Sequence, residues 1–256
     1  MLDYYGDILV ARAPKLLDVS DYLVADAYFS RNPFVNRVVA AGYKLVSRLK
    51  KNTYMRYQYV GPQSGGRGAP KRFDGKVDPM NPRLDIFQRC ANADDGSWIA
   101  YQAVVHIRAW KSLAKLALIH DLDKNGKVRA YRLMVSTDLQ LDGAELIHMY
   151  QCRYQQEFLF RDTKQEGGLE HCQAYTWERI YFHVNTALSA VSLAKVAHYL
   201  NQPIGARRAF SIADVRTKYN NQFQAKRIFL MCGIDPQVPI IRKLWQRISD
   251  FGKRAA

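Results

Sequence analysis

The chain reads as an α/β protein in three parts: the opening of a mixed core over 1–49, a β-rich insertion over 50–135, and a helical stretch over 136–256 that returns to that core. Three observations predict this. A strand, a helix and a second strand follow one another before residue 50, short alternating segments occupy the middle of the chain, and helical periodicity takes over after Asp142. A hydrophobic content of 48% with 12% aromatics supplies a packed core and excludes a disordered or fibrous chain.

Residues 2–17 carry apolar side chains at helical spacing and predict a short helix ending near Pro14. Tyr22 to Asp26 is an apolar run of strand length, which predicts a buried strand delivering Asp26 at its carboxyl end. A turn at Asn32-Pro33 then leads into a helix over Phe34–Ala41, with Pro33 suited to a first helical turn and Gly42 as its stop. Tyr43–Leu49 is a second strand, and strand, helix, strand implies a parallel pair with a right-handed crossover.

A Gly/Pro/basic loop over 61–72 opens the middle part. Tyr54–Tyr59, Trp98–Trp110, Leu113–Ile119 and Val128–Val135 are its candidate strands, with Asn125-Gly126 marking a hairpin between the last two. Asp121 to Gly126 has the spacing of the start of a calcium loop, but the twelfth position is Arg132 where a bidentate Glu is needed, so a hairpin turn is the plainer reading. Asp142 and Glu145 make a capping box for a long helix running to about Gln165 and ended by Gly167-Gly168. Residues 176–200 form a largely apolar helix, and the remainder is basic and helical.

Charge narrows the partner. Against 38 Lys and Arg stand 23 Asp and Glu, and a net +15 exceeds what solubility asks for, so a polyanion is expected; a basic but otherwise ordinary enzyme is the alternative. No apolar run is long enough for a membrane span, and Met1-Leu2-Asp3 lacks the features of a secretory leader, which together predict a cytoplasmic chain. Four cysteines lie far apart without a Cys-x-x-Cys pair, so any metal is expected on oxygen ligands.

On the predicted long helix, Tyr150, Arg153, Glu157 and Lys164 fall within about 60° of arc. A surface ladder of ion pairs explains such a stripe. The pattern Tyr-x2-Arg-x3-Glu-x6-Lys also resembles the signature of the IS4-like DDE transposases of bacterial insertion sequences, and Val24-Ala25-Asp26-Ala27-Tyr28-Phe29 looks like that family's second acidic region. The resemblance covers nearly the whole chain, from about Leu2 to Ile248. It implies a ribonuclease-H-like fold, with the insertion between the second and third acids. It implies a bacterial protein that cleaves and joins DNA at element ends, with Asp26 and Glu157 as catalytic and metal-binding acids. Mg²⁺ is the implied cation, with Mn²⁺ as a substitute, and the implied assembly is a homodimer in a synaptic complex on transposon-end and target DNA. By the same resemblance Arg153 and Lys164 clamp phosphates, Tyr150 packs beside them, and an insertion tryptophan, Trp98 or Trp110, stacks on an extruded base; either tryptophan can equally be core.

The family pattern needs a first Asp on the opening strand of the sheet, and that strand, two more strands and a helix before the second acid take at least about 35 to 40 residues. Only 25 residues precede Asp26, so the expectation is a chain truncated at its amino terminus, without the first catalytic Asp and inactive by itself. A catalytically inactive DNA-binding remnant is the alternative function. Asp138 also ends an apolar run and rivals Asp26 as second acid, although its place before the capped helix favours a turn.

Overall fold

The computed structural model describes residues 1–63, 68–206, 209–235 and 237–253. Ser64 to Arg67, part of the basic loop, lie outside the described residues. The architecture is mixed α/β with a mostly antiparallel sheet, and it divides into two compact units, Met1–Arg153 and Tyr154–Ala256.

In the first unit, helix α1 (Leu2–Leu16) is followed by β1 (Tyr22–Val24), α2 (Asn32–Ala40) and β2 (Lys44–Arg48). The strands pair in parallel, Tyr22 opposite Lys44 and Val24 opposite Val46. Helix α2 makes that possible because Phe34, Val35 and Val38 form one buried stripe, and the chain leaves it through Gly42 at φ +97°, a conformation that only glycine adopts readily. The helix begins at Asn32, so Asn32-Pro33 is its first turn and not a separate one. Helix α1 passes Pro14 by two residues: a proline forfeits only its own N–H bond near a helix end, and Leu17 N–H still reaches Ala13 O at 2.9 Å. Strand β1 is half-buried, not buried, because it is the edge of the sheet and, among the described residues, pairs only with β2.

The middle of the chain extends the same sheet. Its strands are β3 (Met55–Gln58), β4 (Phe73–Lys76), β5 (Gln88–Asn92), β6 (Trp98–Ile107), β7 (Ser112–Leu122) and β8 (Val128–Ser136). The order is β1-β2-β8-β7-β6-β3-β4, with β5 also on β6. Strand β8 joins β2 antiparallel, Val46 opposite Ser136 and Arg48 opposite Met134. The β7–β8 hairpin turns at Gly126 (φ +77°), and Asp123 Oδ1 accepts the N–H groups of Asn125 and Lys127, an Asx-type turn of the expected plain kind. Strands β4 and β5 escape the sequence reading because Phe-Asp-Gly-Lys and Gln-Arg-Cys-Ala-Asn are short and polar with no alternation.

Alternation along the long strands builds two cores. One face sends Leu45, Met55, Val105, Leu116, Leu118 and Leu133 against Val35 and Val38 of α2 and Ala13 of α1. The other sends Val46, Ala100, Ala117, Ile119 and Met134 against Leu146, Ile147 and Tyr150 of α3 (Gly143–Cys152). Asp142 caps α3 by accepting the Ala144 N–H at 2.8 Å.

The expected long helix is two helices. Arg153 N–H bonds Tyr150 O three residues back at 3.2 Å, and α4 (Tyr154–Gln165) starts after it. A three-residue bond tightens the turn and interrupts the α-helical ladder. No Pro or Gly stands there, so the sequence carries no mark of the break. In the second unit α4 packs on α5 (Trp177–Leu200), α5 on α6 (Ile212–Met231) and α6 on α7 (Pro239–Asp250). Gly168, at φ +73°, closes the stretch after α4 as expected. Among the described residues no helix is long and apolar enough to cross a membrane.

Leu116 lies fully buried on β7, in the middle of the sheet. Leu116→Ala should lower the unfolding free energy of the first unit by about 2–5 kcal/mol, through lost burial and an unfilled cavity. Denaturant unfolding followed by circular dichroism reads this directly; an unchanged midpoint would place Leu116 outside the core.

Candidate active site at the carboxyl end of the parallel pair

Asp26 sits two residues beyond β1 and caps a short 3₁₀ turn, Ala27–Phe29. Its Oδ1 accepts the Ala27 N–H at 2.7 Å and the Tyr150 hydroxyl at 3.4 Å. Its carbonyl accepts the Ser47 hydroxyl at 3.1 Å and the Phe29 N–H at 2.9 Å. The backbone and one carboxylate oxygen are therefore fixed. Among the described residues Oδ2 has no hydrogen-bond donor, and the side chain is exposed.

Tyr150 reaches Asp26 from the last turn of α3, where only 4% of its surface is accessible. Burial holds its phenol above the usual tyrosine range, and the Asp26 charge pushes the same way; the cations of Arg153 and Arg48 oppose both. Arg153 is half-buried with its guanidinium 5.9 Å from the centre of the Tyr150 ring. The corner at the end of β1 and β2 thus combines a carboxylate, a neutral phenol and two guanidinium groups.

Arg48 was not singled out by the sequence reading. The register could have found it: Val24 lies opposite Val46, so continuing the parallel pair two residues puts Arg48 level with Asp26. Arg48 alternates with Val46, which places it on the sheet face that α3 covers.

Glu157 and Lys164 belong to the second unit. Glu157 is exposed in the first turn of α4, and Lys164 is two turns further on, with Nζ 3.6 Å from Glu170. The four signature residues do not lie on one continuous helix: Tyr150 is on α3, Arg153 is the junction, and Glu157 and Lys164 are on α4.

The tryptophans part company. Trp98 opens β6, half-buried against the α3-side core. Trp110 is 2% accessible in the opposite core, and its indole N–H donates to Ser30 O at 2.8 Å. Trp110 is a core residue, and stacking on a base would require unpacking it.

Asp138 lies at the other end of the strands. It accepts the Tyr22 hydroxyl at 2.7 Å and the Gln140 N–H at 3.0 Å, and Lys44 Nζ is 3.3 Å away. Tyr22 and Asp26 are separated along β1 by roughly 13 Å at strand rise. The Tyr22 bond, more than any other contact, holds the Asp138 carboxyl below the usual carboxylate range. The favoured reading of Asp138 as a turn acid agrees with these bonds. Among the described residues no three His, Cys, Asp or Glu side chains gather as a ready metal cluster. Asp26 by itself suits one ligand of a hard cation, with oxygen chemistry and a free Oδ2.

The Asp138 bond pushes the Tyr22 phenol up to about 12. A raised phenol favours the protonated native form, so its stabilising contribution is complete below pH 10 and is lost as pH rises from 10 through 12. Spectrophotometric titration should show one tyrosine step near pH 12 that disappears in Tyr22→Phe; a Tyr22 step near 10 would contradict the bond.

No curated protein matches the chain. A model of the transposase DDE domain matches residues 6–193, a span that includes Asp26, all eight strands, Tyr150, Glu157 and Lys164. That family implies DNA as substrate and generally uses divalent cations, and the mixed α/β sheet with helices following it is consistent with a ribonuclease-H-like fold. With the match extending over well over half its length, the chain belongs to the transposase DDE-domain family.

Proposed function

We propose that the chain serves an IS4-like transposase that cleaves and joins DNA at insertion-sequence ends, with Asp26 and Glu157 as two of its acids. The observation that carries this is the Asp26 corner: a strand-end carboxylate held through one oxygen by a buried tyrosine, with the other oxygen open. Residues 50–135 are read as an insertion that extends the sheet of a core formed by 1–49 and the segment from 136 onward.

Each side chain has a derivable task. Tyr150, its phenol held neutral, donates to Asp26 and keeps the carboxylate oriented across the physiological range. Arg48 and Arg153 place positive charge beside it, suited to the non-bridging oxygens of a phosphodiester. Lys164 supplies a further phosphate contact from α4, and Trp98 is the remaining candidate for a base contact. Asp26 and Glu157 would hold Mg²⁺, or Mn²⁺ in its place, and the bound cations would activate the attacking oxygen and stabilise the leaving one. Joining two element ends calls for at least two chains, and a homodimer in a synaptic complex is the simplest arrangement.

An inactive DNA-binding remnant is the competing reading, and one assay separates the two. In a version that also supplies a first catalytic Asp, nicking of supercoiled plasmid in Mg²⁺ or Mn²⁺ should fall by about a thousandfold or more in Asp26→Asn and in Glu157→Gln, with DNA affinity kept, whereas the present residues alone should stay at background. DNA binding with background nicking in every version would favour the remnant. Nicking that survives Asp26→Asn would remove Asp26 from the site.

A further inference from the structure

Away from the Asp26 corner, at the opposite edge of the sheet, the outer face of β3, β4 and β6 carries a separate cluster. Alternation places Tyr54, Arg56, His106 and Arg108 on the face opposite Met55, Tyr57, Val105 and Ile107, which are buried. Arg56 lies opposite His106 on β6 and opposite Lys76 on β4. The Arg56 guanidinium stacks 3.5 Å from the centre of the Phe73 ring, and that ring is 4.5 Å from the His106 ring. Beside them Lys76 and Arg108 each lie 5.5 Å from the centre of the half-exposed Tyr54 ring.

These cations differ from their neighbours. Lys71 and Arg83 are paired with Asp74 at 2.9 and 2.7 Å, and Arg83 also with Asp85. Among the described residues Arg56, Lys76 and Arg108 have aromatic partners but no carboxylate within ion-pair distance. Arg56 Nε and His106 Nδ1 are moreover buried without a hydrogen-bond partner. Burying a donor unmet opposes folding, and among the described residues no ion pair on this face offsets it. Desolvation and the nearby Arg56 charge also hold the His106 imidazole below its usual range, so the positive charge of this face rests on Arg56, Lys76 and Arg108.

We propose that this face is a second contact surface for double-stranded DNA, with Arg56 and Lys76 on backbone phosphates. Stacking pre-orients both cations, so binding immobilises little that is not already ordered. The aromatic faces are already covered by those cations, which favours phosphate contact over base stacking and hence a duplex over a single strand. The surface lies outside the Asp26 corner: five strand spacings separate β1 from β3, roughly 24 Å, or about seven base pairs of duplex. It does not depend on catalysis, and Asp26→Asn should leave it intact.

The test is the affinity of the full chain for a 30-base-pair duplex of arbitrary sequence, measured by fluorescence anisotropy over a range of salt concentrations. Arg56→Gln/Lys76→Gln should flatten the slope of log affinity against log salt by about 2, near 0.9 for each lost phosphate contact, and weaken binding on the order of tenfold near physiological salt. Lys124→Gln/Lys127→Gln, in the β7–β8 turn, should leave the slope unchanged. Lys76→Glu alone changes an exposed side chain and gives the same direction of effect if the Arg56 change prevents folding. An unchanged slope in the Arg56/Lys76 variant, a larger loss on single-stranded than on duplex DNA, or no duplex binding by the wild-type chain would each overturn the proposal. In the first two cases the reading of the Asp26 corner stands.

Discussion

The parallel pairing of β1 with β2 is the constraint on which the rest of the first unit depends. It involves three residues on each side, Tyr22 to Val24 against Lys44 to Val46. Parallel strands cannot be joined by a tight turn, so the chain must cross over, and α2 does this with Phe34, Val35 and Val38 seated on one face of the sheet. The pairing then determines both ends. Asp26 emerges at the carboxyl end, with its carbonyl tied to Ser47 of β2, and β8 adds to the far side of β2 in a register that carries the remaining strands. A slip of one residue would exchange the two faces of β1 and turn Asp26 away from Tyr150.

Two acids at opposite ends of these strands show how hydrogen bonding selects a candidate ligand. Asp138 has partners on both oxygens, Tyr22 and Lys44 on Oδ2 and the Gln140 N–H on Oδ1, which stabilise its charge. Among the described residues Asp26 has donors on one oxygen only. Tyr150 contributes in two ways, filling the α3-side core with its ring and aiming its hydroxyl at the carboxylate. Packing and site geometry therefore share one side chain, and α3 could not shift on the sheet without moving the Asp26 contact.

Much of this arrangement was legible in the residues because local chemistry decides it. Gly42 and Gly126 stand where the backbone must adopt positive φ, Asp142 caps α3, and the alternation of β6, β7 and β8 matches their burial. The features that escaped depend on tertiary partners. Strands β4 and β5 exist through pairing with β3 and β6, not through their own polar sequences. The break at Arg153 has no Gly or Pro to announce it, so the expected single helix is found as two. Arg48 became visible only once the register of β1 and β2 was known.

The proposal that Asp26 and Glu157 serve one divalent cation has a direct test. Mn²⁺ affinity measured by electron paramagnetic resonance on the wild-type chain, Asp26→Asn, Glu157→Gln and the double variant tests it most directly. If the two acids share the ion, each single change weakens binding by about tenfold or more and the double change adds little to either. Losses that multiply in the double variant, or an Mn²⁺ affinity indifferent to Asp26→Asn, would contradict the account.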